Sequence, residues 1–334
     1  MRIEKVLRVL IAAGVACAFA TAAGAQEVVL KTQTALPKNH DLAKSFIEGF
    51  VNKLNAAGKG VVQVDFLGGP EVNPPDKVAS AVQRGVIDLL HTPGAYHIGT
   101  VPYGNALMAT NIPPSEYRAN GAFAKLAPQW ERKLNAKIIA IGETSAQFHL
   151  YLKNKPKLKK DGVLDLTGIK FRTTGAYRPF AQALGATPVQ ITNAAEVYTA
   201  LERGVVEGFG WPTVGLASQG LGKLVKYRID PPFYHLADLV LINLDKWNSL
   251  PKPAQDMLLK VGAEYERESR AYMIAAAKAD AAALAKQGVE VFTLPPEGAK
   301  KYLDIAHGAM WKRFGTLVDK DEAAALQRLM YKTK

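Results

Sequence analysis

ASAVQRGVID at residues 79–88 and YTALERGVVE at residues 198–207 are one unit written twice, 119 residues apart. Apolar residues fall at helical spacing in each copy, Val78, Ala81 and Val82 in the first and Val197, Ala200 and Leu201 in the second. Arg84-Gly85 and Arg203-Gly204 follow. A glycine there can take the left-handed conformation that stops a helix. Each copy closes on a short apolar run and an acid, Val86-Ile87-Asp88 and Val205-Val206-Glu207, read as the start of a strand. A helix–glycine–strand unit repeated at this distance predicts two similar α/β lobes. A cleft between two lobes is a favoured ligand site.

Outward from the repeat, the first residues set the compartment. Arg2, Lys5 and Arg8 precede an apolar stretch from Val9 to Ala20 and the small-residue run Ala23-Gly24-Ala25. This pattern predicts a cleaved signal peptide over residues 1–25 and a periplasmic mature protein. The stretch is shorter than the roughly 20 residues that a membrane span needs. The one cysteine, Cys17, lies in this leader. A mature chain without cysteine rules out disulfides, thiol nucleophiles and thiolate metal sites.

The net charge is +12. The dense basic run, Lys153 to Lys160 (KNKPKLKK), is broken by proline and lacks an aromatic platform, so it reads as solvated surface rather than a nucleic-acid interface. Long-range attraction still favours acidic ligands.

Strands are expected over Val28–Thr32, Val61–Leu67, Ala136–Gly142, Phe148–Lys153, a segment ending at Arg172, Pro188–Ile191, Leu239–Asn243 and Val289–Phe292. Leu42, Phe46, Phe50 and Leu54 mark an amphipathic helix. Residues 92–114, rich in Gly, Pro, Tyr and Asn, read as irregular loops, and a helix is expected from Ser115 to Leu134. Pro253 to Lys286 is the longest helical pattern, with Gly262 its one weak point. At 1.5 Å per residue it reaches about 50 Å, enough to bridge both lobes.

Enzyme signatures are missing: there is no G-x-S-x-G, no P-loop and no H-E-x-x-H. The six histidines are scattered, and no pair of Asp or Glu clusters near any of them in the sequence. Arg172 differs. It closes a strand and precedes Thr173-Thr174-Gly175, and open α/β sheets place ligands at strand C-termini. Its guanidinium offers a rigid fork for a carboxylate, with the Thr174 hydroxyl beside it. Trp211 follows a glycine-rich strand end in the second copy of the repeat.

LTGIKFRTTG, then FAQALGATPVQITNAAEVYTALERGVVEGFGW, then LINLDKWNSLPK resemble the solute-binding proteins of tripartite ATP-independent periplasmic (TRAP) transporters, and the resemblance extends over essentially the whole mature chain. It implies a periplasmic-binding-protein-like α/β fold, two lobes with a ligand cleft between them and a long lobe-spanning helix. It also implies capture of a small organic acid, hinge closure, delivery to a TRAP-type membrane permease, and no catalysis. The expected division is lobe I over 27–147 plus about 239–265, lobe II over 148–238 plus about 287–334, and the bridging helix at 253–286.

In that family the arginine of the G-x-K-x-R strand pairs with the ligand carboxylate, here Arg172. Gln147 matches a ligand contact of the subgroup that binds 2-oxo acids. Trp211 matches an aromatic of the same subgroup, which follows a metal-holding glutamate. Gly210 stands in the glutamate's place, so no metal and no cofactor are expected. First-lobe contacts are expected from Tyr96, His97 and Tyr103, and further ones from Phe209 and His235. The aromatic supply, with no second cationic anchor evident except Arg178, favours a monocarboxylate such as a 2-oxo, hydroxy or aromatic acid. A dicarboxylate or sugar acid is the other ligand reading, and a ligand-presenting partner of a membrane sensor the other functional one.

Overall fold

The computed structural model describes residues 27–142, 145–191, 193 and 195–332. The expected signal peptide lies outside them. In chain order the strands are β1 (Val28–Thr34), β2 (Val62–Gly68), β3 (Leu89–Pro93), β4 (Ala136–Gly142), β5 (Gln147–Leu152), the short β6 (Lys157–Leu158) and β7 (Leu164–Asp165), β8 (Lys170–Thr173), β9 (Thr187–Gln190), β10 (Gly208–Pro212), β11 (Tyr227–His235), β12 (Asp238–Asn243) and β13 (Glu290–Thr293). Five form one sheet in the order β2-β1-β3-β12-β4 and six form another in the order β13-β11-β5-β10-β8-β9. Each sheet anchors an α/β lobe. In the first, β1 runs parallel to β2 and β3, while β12 is antiparallel to β3 and β4. In the second, β8 lies between the parallel strands β9 and β10, and β5 is antiparallel to β10 and β11.

The repeated unit is structurally the same in both lobes. Gly85 (φ 68°) and Gly204 (φ 69°) are left-handed. The amides of Val86 and Val205 turn back to the carbonyls of Ala81 and Ala200. The amides of Asp88 and Glu207 then donate to Lys31 at β1 and Lys170 at β8, opening the ladders. The strands proper begin one residue later, at Leu89 and Gly208. The run after each glycine is therefore the return from the helix, not the strand itself. That is why Val86 and Val205 remain 53% and 47% exposed.

The chain passes to the second sheet between β4 and β5 and returns between β11 and β12. A third link is the helix Lys252–Lys286, unbroken through Gly262. A Cβ at Gly262 would meet the Ile139 carbonyl and side chain at 3.1 Å, so the glycine serves close approach to β4 rather than a break. Farther along, Asp280 accepts the Ala217 amide at 2.9 Å on the second-lobe side. The helix thus touches both lobes, as its length requires.

Residues 92–114 are more regular than their composition predicts. They hold a 3-10 turn, Gly94–His97, and a fully buried helix, Gly104–Ala109. A Cβ at Gly104 would fall 2.8 Å from the Gly94 carbonyl, so glycine here permits packing rather than looseness. The helix expected from Ser115 to Leu134 is two, Pro114–Ala119 and Ala122–Leu134, parted at left-handed Gly121. At the C-terminus, helix Pro296–Leu317 packs on Gly104–Ala109, on helix Arg178–Ala183 and on β11. The last helix, Lys320–Met330, packs on Gly104–Ala109 and Ala122–Leu134.

Candidate ligand-binding site

A cavity of about 390 Å³ opens where the C-terminal ends of β3, β8 and β10 face each other. β8 delivers Arg172 there, in register with Val189 of β9 and Phe209 of β10. Its side chain is 4% exposed. Nε donates to the Ile191 carbonyl at 2.8 Å. Nη1 donates to the Tyr177 hydroxyl at 2.8 Å and, at 3.4 Å, to the Gly210 carbonyl. Nη2 makes no hydrogen bond among the described residues. Half of the fork is thus fixed by the protein, and the other half lies at the cavity wall. The Trp211 ring sits beside it, 5.9 Å from the guanidinium carbon, within cation–π range.

Tyr177 holds this arrangement. Its hydroxyl accepts from Arg172 and donates to the Gly210 carbonyl at 3.1 Å. Its ring lies over Gly210, where a Cβ would come within 2.9 Å of it. The space that a side chain at position 210 would take is therefore filled by a phenol from the loop after β8. Burial pushes the Tyr177 and Tyr96 hydroxyls up, outweighing the opposing pull of the Arg172 charge. Both stay neutral, and neither supplies a counter-charge. Among the described residues no group of three His, Cys, Asp or Glu is placed to hold a metal ion.

The first lobe adds Tyr96 and His40 to the wall. His40 caps the helix that begins at Asp41: its Nδ1 accepts the Leu42 amide at 3.2 Å. The ring proton therefore sits on Nε2, which lies against Gly215 of the second lobe. Burial lowers its pKa to about 4, so the ring is a neutral donor at pH 7. Leu36, Ile98, Phe148 and Leu236 give the cavity an apolar side, and among the described residues no Asp or Glu lines it.

Of the residues expected from the sequence, the fold gathers Arg172, Thr174, Trp211 and Tyr96 around this cavity. His97 is buried, with Nε2 2.9 Å from the Thr92 hydroxyl and a pKa lowered by burial to about 4. Tyr103 is buried edge-on against Phe314, and Phe209 is stacked on Tyr151. Gln147 and His235 face each other across β5 and β11 and line a separate cavity of about 240 Å³. Leu236 borders both cavities. Arg178 turns to the Gln190 side chain and does not line the site. Arg313, which no local pattern singles out, does.

Single acids do stand beside two of the histidines in three dimensions. His91 Nε2 lies 2.8 Å from Asp238 Oδ1, and His149 Nδ1 lies 3.0 Å from Asp230 Oδ1. Strand pairing brings these distant residues together. Neither pair lines the cavity. In the first, Thr34 and Tyr265 complete a buried chain of contacts, the Tyr265 hydroxyl donating to Asp238 at 2.6 Å.

Residues 33–314 match the family model for bacterial extracellular solute-binding protein, family 7 (DctP). A monocarboxylate 2-oxoacid-binding periplasmic protein of Nostoc sp. is 31% identical over 200 residues, covering 56% of this chain and about half, 52%, of that protein's length. A solute-binding protein of Albidiferax ferrireducens is 25% identical over 307 residues, 87% of this chain and 88% of that one. The crystal structure of a Bordetella pertussis extracytoplasmic solute receptor binding pyroglutamic acid superposes with a TM-score of 0.76 at 18% identity, covering 90% of this chain and 99% of that one. At that identity the likeness is one of fold. Among the described residues no helix is long and apolar enough to cross a membrane.

Proposed function

Because the chain belongs to bacterial extracellular solute-binding protein family 7, we propose that it captures a small organic acid in the interlobe cavity and hands it, unchanged, to a TRAP-type permease from the periplasm. The carrying observation is Arg172, a buried guanidinium at a strand C-terminus, beside a cavity; among the described residues its Nη2 is unbonded and no carboxylate lines that cavity. A buried charge needs a partner, and a ligand carboxylate meets that need.

The bonds from Nε and Nη1 fix the plane of the guanidinium before the ligand arrives. Less orienting entropy is then lost on binding. Nη2 brings two N–H donors to the carboxylate, and the Thr174 hydroxyl and His40 Nε2 are neutral donors for other oxygens of the ligand. The apolar wall takes its carbon body. Closure of the lobes about the crossing strands follows the hinge pattern of two-lobed receptors and excludes water, which strengthens each of these bonds.

The test is a thermal-shift screen of the mature protein against 2-oxo, hydroxy, aromatic, dicarboxylic and sugar acids. A ligand that binds only the folded state raises the melting temperature by mass action. A stabilising carboxylate whose effect disappears in Arg172→Ala is the expected result. Stabilisation by neutral sugars or amines alone overturns the reading.

A further inference from the structure

The basic run Lys153 to Lys160 takes a definite shape in the fold. β6 and β7 pair as a hairpin, Lys157 opposite Asp165 and Leu158 opposite Leu164. The Lys159 amide donates to the Val163 carbonyl at 2.8 Å and the Gly162 amide to the Lys159 carbonyl at 2.9 Å, closing the turn through left-handed Gly162. Val163 and Leu164 are buried at its base. A Cβ at Gly298 would overlap the Gly162 carbonyl, so the tip lies directly on the helix Pro296–Leu317. Lys155, Lys157, Lys159 and Lys160 are all exposed, with Leu158 37% exposed among them. The two acids of the hairpin have other partners: Asp161 accepts from the Val163 amide and Lys301, and Asp165 from the amide and hydroxyl of Thr167. Four cations within six residues are thus held on a fixed support, where they repel one another. β5 leads into the hairpin from Leu152, which pairs with the first residues of β10 and β11, whereas Phe148, near its other end, lines the ligand cavity. The hairpin therefore stands at the end of the second sheet remote from the cavity.

We propose that this hairpin is a membrane-contact surface, which holds the second lobe against a bilayer rich in anionic phospholipid. The inference does not depend on what fills the cavity. Headgroups move laterally and offer no fixed geometry. An ammonium on a flexible stem is a point charge that suits them, whereas a guanidinium fork suits a carboxylate held in place. The hairpin has lysines and no arginine. Nor does it carry Trp or Tyr, the usual anchors of a protein partner. Leu158 adds apolar contact at the headgroup boundary. Each lysine near an anionic surface strengthens the attraction by roughly fivefold. Contact made at this end leaves the cavity clear and confines the receptor to the membrane plane, which raises its effective concentration at a membrane-bound partner.

The experiment is co-sedimentation of the mature protein with vesicles, either of phosphatidylcholine alone or of phosphatidylcholine and phosphatidylglycerol in equal parts, at about 20 mM and about 150 mM ionic strength. The expected result is binding to the mixed vesicles only, weakened about fivefold or more at the higher salt. Lys155→Gln, Lys157→Gln, Lys159→Gln and Lys160→Gln together lower that binding about tenfold or more without changing the melting temperature. Lys59→Gln, Lys77→Gln, Lys125→Gln and Lys260→Gln together remove as much charge from exposed positions outside the hairpin, and they change binding by less than about twofold. Equal losses in the two variants overturn the proposal, because the net charge alone would then be at work. So does equal binding to phosphatidylcholine alone, or no binding to the mixed vesicles at the lower salt. Poly-glutamate bound through the hairpin while the mixed vesicles are ignored assigns the surface to an acidic protein and overturns it as well. The hairpin variant keeps the wild-type thermal-shift response to carboxylates, since none of its four lysines lines the cavity.

Discussion

Gly210 and Tyr177 act as one device. The phenol ring occupies the space that a side chain at 210 would take, and from there its hydroxyl steadies Arg172. Gly210→Ala is expected to displace the ring. The cost is about 1–3 kcal/mol, the usual range for overpacking, measured by urea unfolding, with a parallel loss of ligand affinity. Tyr177→Phe keeps the ring and removes the hydroxyl. It should lower stability by about 1 kcal/mol and weaken binding less than Arg172→Ala does. Arg172→Lys should weaken binding by about 3 kcal/mol, roughly a hundredfold, because an ammonium replaces none of the three fixed bonds. Wild-type affinity in that variant would remove Arg172 from the site. The position of Arg172 at a strand end was legible from Lys170-Phe171-Arg172 and the threonines that follow. Its dependence on Tyr177 was not, because the loop of three residues between β8 and Tyr177 decides where that ring points. Arg313 was illegible for a plainer reason: only the packing of the C-terminal helix brings it to β8.

At the scale of elements, the repeat showed itself through its glycines, whose left-handed backbone is a local requirement. The three-residue lag before each strand depends on where the neighbouring strand offers a carbonyl, which no local pattern encodes. The buried helix Gly104–Ala109 was misread because glycine marks close packing and turns alike. On the long helix, burial raises the Asp280 carboxyl to about 6. The folded state then holds this proton more tightly than the unfolded state, whose carboxyl titrates near 4. Stability from this group therefore falls as pH rises from about 4 through 6 and stays lower above, by an amount on the order of 2 kcal/mol. Asp280→Asn should remove that part of the pH dependence, so the variant gains on wild type between pH 5 and pH 8 in urea midpoints. Equal slopes for the two proteins would show that Asp280 does not titrate in this range. His40 and His97, both lowered by burial to about 4, act in the opposite sense. Their contribution is present above 6.5 and is lost as the pH falls toward 4.

For the whole molecule, a net charge of +12 and an anionic ligand predict association that slows with salt. Stopped-flow association rates should fall several-fold between about 10 mM and 150 mM ionic strength, as the screening length shrinks from roughly 30 Å to 8 Å, with dissociation nearly unchanged. A salt-insensitive on-rate would mean that the ligand is steered by something other than the field of the protein.

The interleaving of the two sheets has a consequence for how the molecule comes into being. β12, at residues 238–243, lies between β3 and β4, so β4 is cut off from the rest of the first sheet until nearly three-quarters of the chain has been made. The second sheet waits longer, for β13 at residues 290–293. A ribosome cannot finish one sheet before starting the other: the second is already begun, at β5, when β12 completes the first. Contacts this distant in sequence close slowly, and a fragment ending at Leu236 is expected to leave β4 without its neighbour and to show no cooperative melting. A chain held open in this way is the kind that can be threaded through a narrow channel before it folds.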